Sequence, residues 1–509
     1  MNTLQQQAFN SAIYGHSVFI TGPAGTGKSY LMNHIIEHLH KRGKKVAVTS
    51  LTGVSASLLD SGQTFHSWLG IKYIPNMDDM SYPQLRDTVI KGLSQYNRRK
   101  IRDTQVLIID EISMMPFDLL TLLHDVTRAV RKSIGLIGGI QVIALGDFHQ
   151  LPPVKYKSYE EKYVFQNPLW KVMFPRNQTF VLNEIVRQKD DELFRNILSD
   201  IRNGRLRLEY ERLLCQKIKP LTEIADTIPR LYAMKKDIDE MNMRRLEQMS
   251  GESRTITATL KAHSFVQQDT FNFPRDTLIS ENLVIKVGAL VMFNKNIFVD
   301  IERTMFIPNG KCGIVVELAD KRSGYPVVEY EDERGQMMRY VCKPETWTFP
   351  HYSITQIPIM LAWNISIHKS QGSTLDKVAI DIGDTIFEYG QMYVALSRCR
   401  SFDGLTLIKF QPRKLKTDPL VKEYYRRLYS DEDTFSNDEK KEERKSETES
   451  PKSSKPSSPK NAPASDDASG AMEMDNGRLS ATHSKNYHAF FRQFVHQGTS
   501  GTNVAKKTG

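Results

Sequence analysis

Val18-Phe19-Ile20-Thr21-Gly22-Pro23-Ala24-Gly25-Thr26-Gly27-Lys28-Ser29 joins an apolar run of strand type to the pattern G-x-x-x-x-G-K-S. A loop running from Gly22 through Pro23, Ala24, Gly25 and Thr26 to Gly27 can close its backbone N–H groups around a polyphosphate. Lys28 adds a point charge at the β- and γ-phosphates, and Ser29 offers a hydroxyl to Mg²⁺. Leu31, Ile35, Ile36 and Leu39 recur at helical spacing after the loop, so the phosphates meet a helix N-terminus whose dipole favours negative charge. The stretch predicts a site for ATP and its Mg²⁺. Upstream, Gln5 is within reach of an adenine, whose N6 and N7 suit a side-chain amide; Gln6 and Gln7 compete for that role.

The loops that follow repeat one plan, a buried strand ending in polar residues. Lys45-Val-Ala-Val-Thr-Ser50 leads into Thr52-Gly53 and then Thr64-Phe65-His66-Ser67-Trp68. Hydroxyls with interleaved aromatics suit a single nucleic-acid strand, whose phosphates accept hydrogen bonds while its bases stack on rings. Phe65 and Trp68 equally suit a core. Arg86, Lys91, Arg98, Arg99, Lys100 and Arg102 belong to a polar insert over about 72–102 and read mainly as solvated charge. Val106-Leu-Ile-Ile-Asp110-Glu111 ends a strand in two adjacent carboxylates, Asp110 suited to holding Mg²⁺ and Glu111 to polarising the attacking water. In Leu145-Gly146-Asp147-Phe148-His149-Gln150-Leu-Pro152-Pro153, Gln150 is positioned to sense the γ-phosphate, and the prolines stiffen the exit.

Taken in order, these motifs resemble the first half of a superfamily-one helicase of the PIF and RecD/Dda-like branch, a resemblance spanning about residues 5–412. The second half is similar too. Glu184-Ile-Val-Arg187-Gln188 continues to Phe194, Leu198, Ile201 and Arg202-Asn-Gly204. Gly390-Gln-Met-Tyr393-Val-Ala395-Leu396-Ser397-Arg398 resembles the last helicase motif. Helical spacing gives Phe194, Leu198 and Ile201 a core role. The resemblance implies that Arg187 and Arg398 are arginine fingers for the transferred phosphate. It also implies that His368, Lys369 and Ser370 contact a nucleic-acid backbone and that Gln371-Gly372 link this strand to the nucleotide. Where relatives more often carry alanine and threonine, this chain has Asn364 and Ser366.

The fold implied is α/β: two RecA-like parallel-sheet domains, an inserted SH3-like β-barrel and a disordered C-terminal tail. The boundaries expected are an N-terminal ATPase domain over 1–180, a second domain over 181–282 and 355–412, the β module over 283–354, a helix over 413–429 and the tail over 430–509. Short strands with glycine turns mark the module, which either helps hold the nucleic-acid strand or is a plain structural insert. The activity implied is ATP-dependent 5′-to-3′ movement on single-stranded DNA, with unwinding of forked or overhang duplexes, by a monomer. It would serve replication, repair, recombination or telomere maintenance. A nucleic-acid-dependent ATPase that remodels RNA or protein complexes without unwinding DNA shares the same residues.

Size and charge agree with this reading. The chain has 509 residues, 25% of them charged, and a formal net charge of +10. Residues 430–509 hold 12 Lys and Arg against 13 Asp and Glu, so the excess lies in the motor region, as suits a polyanionic partner. Cys215, Cys312, Cys342 and Cys399 are far apart in sequence, and no structural metal or disulfide framework is expected. No apolar run approaches the roughly eighteen residues of a membrane span. The polar start shows neither a secretory nor a mitochondrial presequence, so an intracellular protein is expected, the nucleus favoured. In the tail, Tyr487, Phe490, Phe491, Phe494 and Val495 form a helical apolar stripe, a candidate docking peptide over 485–497 for a protein partner.

Overall fold

A computed structural model describes residues 1–59, 62–71, 81–153, 163–233, 238–262, 273, 277–299, 306–320, 323–332, 335–349 and 352–430. The tail beyond 430, with the candidate peptide 485–497, lies outside the described residues.

The first sheet has six parallel strands: β1 (Val18–Thr21), β2 (Val46–Ser50), β3 (Gln63–Thr64), β4 (Val106–Asp110), β5 (Gln141–Leu145) and β6 (Thr179–Val181). Their spatial order is β3-β2-β4-β5-β1-β6. A parallel sheet is covered on both faces, which is why β1, β4 and β5 are almost unbroken apolar runs. On one face Val18, Ile20, Ile108 and Ile143 pack with Ala8 and Ala12 of helix α1 (Thr3–Ile13) and Leu31, Met32, Ile35 and Leu39 of helix α2 (Lys28–Lys41). On the other, Phe19 meets Phe148 and Trp170 edge-on or tilted, with ring centroids 5.5 and 4.9 Å away. Because β5 lies between β4 and β1, the carboxyl ends of all three are neighbours, and ligands in such folds bind at that end.

A second parallel sheet is assembled from Asn364–Ser366, Arg230–Tyr232, Val378–Ile382 and Leu405–Phe410, in that order. Helix Glu192–Arg202 buries Phe194, Leu198 and Ile201, the core role their spacing predicts, and Ile197 with them. Between the strands of this sheet the chain forms antiparallel ones. Five of them order as Met337–Val341, Val327–Glu331, Cys312–Glu317, Leu290–Phe293 and Ile359–Leu361. Glu345–Thr348, Tyr352–Gln356 and Thr259–Ala262 form another sheet, and Ser253–Thr257 pairs with Asn282–Lys286. This β region therefore begins at Ser253 and ends at Leu361, wider than the 283–354 expected. Its first strand, Ser-Arg-Thr-Ile-Thr, is half exposed and lacks the apolar alternation that marks a strand in sequence.

The expected polar insert contains two helices among its described residues, Tyr82–Gly92 and Gln95–Asp103. They are not merely solvated: Leu85 and Ile101 are fully buried, and Lys100 turns inward to donate to Ser67 O at 2.9 Å. A second compact unit spans Pro419–Ala481, and its described part is the helix Pro419–Tyr429, shorter than the 413–429 expected. All four cysteines are free thiols. Among the described residues no helix is long and apolar enough to cross a membrane.

Polar contacts help tie the two parallel sheets together, beside apolar ones made by Ala24 and Leu151. Arg202, at the end of its helix, donates from Nε and Nη2 to both carboxylate oxygens of Asp147, at 3.1 and 2.8 Å, and both side chains are buried. Asp147 follows β5, and one of its oxygens also accepts the His149 N–H at 3.2 Å. Burial opposes the charged carboxylate, but Arg202, with His149 and Lys28, brings it down to about 2. Removing one partner of a buried pair strands the other charge and costs about 3–5 kcal/mol. Arg202→Met is therefore expected to lower unfolding stability by that amount in urea titrations, and Arg202→Met with Asp147→Asn to recover more than half of the loss. Equal losses in the single and double variants would contradict the assignment.

Candidate active site

The loop after β1 turns through three positive φ angles, 140° at Gly22, 80° at Gly25 and 79° at Gly27, and delivers Lys28 and Ser29 to the first turn of α2. At Gly25 the need for glycine is steric as well: a Cβ there would come within 2.6 Å of the Arg187 Cβ. Lys28 Nζ donates to the loop's own carbonyls, Gly22 O at 2.8 Å and Pro23 O at 2.9 Å. Burial pulls its pKa down to about 8, against the opposing pull of Asp147, Glu111 and Asp110. Gln5 is buried and donates from Nε2 to Thr26 O at 3.3 Å, whereas Gln6 and Gln7 are exposed. Of the three glutamines, Gln5 is the one beside the phosphate loop.

Asp110 and Glu111 end β4 as a pair. The Glu111 N–H donates to Asp110 Oδ1 at 2.9 Å, and Glu111 itself sits at φ 53°, ψ 41°. A side chain in the left-handed region costs of order 1–3 kcal/mol, strain of the kind that collects at functional sites. Burial raises the pKa of both carboxyls. Glu111, with the charge of Asp110 added and Lys28 and Arg398 opposing, reaches about 7. Gln150 is buried on the turn after β5, held by its N–H to Asp147 O at 2.9 Å.

Arg187 and Arg398 both come to this cleft. The N–H groups of Val186 and Arg187 donate to Gly25 O at 2.8 and 3.3 Å, so the segment carrying Arg187 lies against the phosphate loop. Its guanidinium donates to Ser397 O at 3.0 Å, and the neighbouring Gln188 donates to Cys399 O at 2.7 Å. Arg398 is 3% exposed and donates to Val394 O at 2.9 Å and Ser397 Oγ at 3.0 Å. Burial lowers the pKa of both arginines, that of Arg187 to about 9 with Arg398 adding to the effect. The helix Gln391–Leu396 that precedes Arg398 starts at Gly390, where a Cβ would lie 2.4 Å from His149 O and 2.5 Å from Gln150 O. Only a glycine lets the last motif close on the Gln150 turn.

The candidate nucleic-acid residues divide. Thr52 and Thr64 cap short helices, their hydroxyls accepting the N–H of Ser55 at 3.1 Å and Ser67 at 3.3 Å. Gly53 and His66 are half-buried, and burial pushes the His66 imidazole down to about 4, so it stays neutral. Phe65 is fully buried against Trp68, which leaves its ring no face for a base: the core alternative holds. Ser370 is also fully buried, its hydroxyl donating to Ile367 O at 2.8 Å, so it supports its loop from within rather than meeting a phosphate. His368 and Lys369 are half-buried, and Gly372 is exposed. Lys369 Nζ pairs with both oxygens of Asp239, at 2.8 and 2.9 Å.

Sequence reading gave no role to several side chains that hold the site. Asn242 accepts the Asn364 N–H at 2.9 Å and donates to Asn364 O at 2.9 Å, and the Asn364 side chain adds its own donation from Nδ2 to Asn242 Oδ1 at 3.3 Å, a contact that alanine at that strand position would lack. Asp147, Arg202 and Tyr393 stand inside quoted motifs. Motif spacing alone does not name the partner of any of them.

The PIF1-like helicase family model matches residues 1–212. The chain is 35% identical over 434 residues to the ATP-dependent DNA helicase PIF1 of Xenopus laevis, covering 84% of this chain and 64% of that protein, so it spans under two thirds of that relative. To the ATP-dependent DNA helicase Pif1 of Bdellovibrio bacteriovorus it is 32% identical, covering 83% of this chain and 91% of the relative. The crystal structure of Pif1 helicase from Bacteroides in complex with ADP-AlF3 and single-stranded DNA superposes with a TM-score of 0.56 at 28% identity, covering 85% of this chain and 98% of that one. With a relative matched over nine tenths of its own length and the motifs assembled around one cleft, the chain belongs to the PIF1-like helicase family.

Proposed function

We propose that the protein is an ATP-driven motor that moves 5′ to 3′ on single-stranded DNA and separates forked or overhang duplexes, acting as a monomer inside the cell. The observation that carries this reading is the split pocket. Lys28, Asp110 and Glu111 come from the first sheet, while Arg187 and Arg398 approach the same loop together with the second. A pocket divided in this way couples hydrolysis to relative movement of its halves, because the terminal phosphate holds them together only until it leaves. The names of the relatives, and the DNA and ADP-AlF3 in the Bacteroides complex, support ATP as fuel and DNA as track.

In this reading the loop amides and Lys28 bind the phosphates, and Gln5 borders the adenine. The donor set suits Mg²⁺: Ser29 offers a hydroxyl and Asp110 a hard carboxylate oxygen, beside a second half-buried carboxyl whose charge desolvation disfavours. Ser29 and Asp110 would hold the ion, which when bound neutralises phosphate charge. Glu111 orients the attacking water and accepts its proton, a role that its raised pKa favours. Gln150 senses the γ-phosphate. Arg187 and Arg398 exchange their carbonyl partners for the charge that develops on the transferred group.

The track would run over Thr52, Gly53, Thr64 and His66 of the first half and His368 and Lys369 of the second, with Gln371-Gly372 leading back to the nucleotide. The β region fits an SH3-like module inserted in a second RecA-like domain that follows an ATPase domain over 1–180. The pathway served is proposed from the family alone: replication, repair, recombination or telomere maintenance.

Glu111→Gln is expected to lower DNA-stimulated hydrolysis by about 10²- to 10⁴-fold while leaving ATP affinity within a few-fold, in paired ATPase and nucleotide-binding titrations. Retention of hydrolysis would remove Glu111 from its role. Duplexes with a 5′ single-stranded tail are expected to be unwound and those with only a 3′ tail left intact. Equal unwinding, or stimulation of hydrolysis by RNA with no strand separation, would overturn the direction or the substrate.

A further inference from the structure

Tyr393 takes no part in the steps above, yet its side chain reaches the phosphate loop. It lies on helix Gln391–Leu396, five residues before Arg398, and is 3% exposed. The Ala24 N–H, an amide of the loop itself, donates to the Tyr393 hydroxyl oxygen at 2.8 Å. We infer that Tyr393 is a ligand for the terminal phosphate of the bound nucleotide, its hydroxyl accepting from Ala24 and donating its own proton to a γ-phosphate oxygen. This rests on the ATP-site reading and adds a contact by which the second half of the motor distinguishes a triphosphate from a diphosphate.

Three observations converge on the role. Ala24 is the third residue of the loop, whose amides surround the phosphates, so a group hydrogen-bonded to its N–H stands at the phosphate site. A phenol that spends an oxygen lone pair on Ala24 keeps its O–H to give, and a phosphate oxygen is a strong acceptor. The groups that interact with the phenol through charge are Asp147, Arg202 and Arg398, residues that the terminal phosphate would join. Burial, with Asp147, pushes the phenol up to about 12, so it is a neutral donor at working pH. A hydroxyl serving only to brace the loop would need no second partner. One that also donates to the γ-phosphate matters to ATP and not to ADP.

The test is Tyr393→Phe in the full chain, which removes one oxygen and keeps the ring that fills the space. Affinities for ADP and for the non-hydrolysable analogue AMP-PNP, each with Mg²⁺, are measured by displacement of a fluorescent ADP. Loss of a hydrogen bond to a charged group should weaken AMP-PNP binding by roughly tenfold or more. ADP should stay within about twofold, and that retained affinity shows the variant to be folded. Equal weakening of both nucleotides would reduce Tyr393 to a brace for the loop, and no change in either would remove it from the site; each overturns the inference. Failure of the unaltered protein to bind either nucleotide would instead overturn the ATP site itself, and the inference with it.

Discussion

Three cations drawn in around one loop, Arg398 buried and Lys28 and Arg187 half-buried, with backbone oxygens as their partners, set the terms for the rest of the molecule. Lys28 rests on Gly22 O and Pro23 O, Arg187 on Ser397 O, and Arg398 on Val394 O. A carbonyl satisfies a donor but does not neutralise its charge, and taking charge out of water is costly unless it is paired. The depressed pKa values of all three groups express that cost. Asp147, already committed to Arg202, acts on Lys28 with Glu111 and Asp110, and burial disfavours the ionised forms of the last two as well. In the proposed function, a triphosphate with its divalent ion would resolve both imbalances at once. The cleft is built for a ligand whose charge completes it.

By contrast, a fully matched buried pair in the cleft, Arg202 with Asp147, has both oxygens and two nitrogens engaged and a carboxyl held at about 2. It anchors the turn bearing Gln150 to the helix that leads out of the Arg187 segment. The Gln150 turn meets Gly390 on its other side, at the start of the helix that carries Arg398. Around the phosphate site, then, the contacts divide into a permanent neutral latch and provisional links through carbonyls. The provisional ones are those that a nucleotide can exchange.

A similar division marks the proposed track. Asn242 and Asp239 lie one turn apart on helix Ile238–Gln248 and hold Asn364 and Lys369, so one helix steadies both the strand and the loop that follows it. Much of this organisation was legible beforehand, because a phosphate loop, a strand ending in Asp-Glu and an apolar helical stripe each have local causes. Gln5 was picked out from its neighbours only by burial, a tertiary property. Phe65 and Ser370 show the opposite failure: aromatic and hydroxyl residues carry the same letters whether they face a ligand or the interior, and here both face inward. The early start of the β region at Ser253 was hidden because a half-exposed strand of Ser, Arg and Thr has no apolar period, and its partner lies across the sequence at Asn282–Lys286.

The proposed coupling depends on where the two guanidinium groups go as ATP is cleaved. The most direct measurement is a crystal structure of this protein with Mg²⁺, ADP and aluminium fluoride, with single-stranded DNA present. The account predicts that Arg187 and Arg398 leave Ser397 O and Val394 O and that each places a nitrogen within roughly 3 Å of a fluoride. Fluoride contacted from the first sheet alone, with both arginines still on their carbonyls, would contradict it.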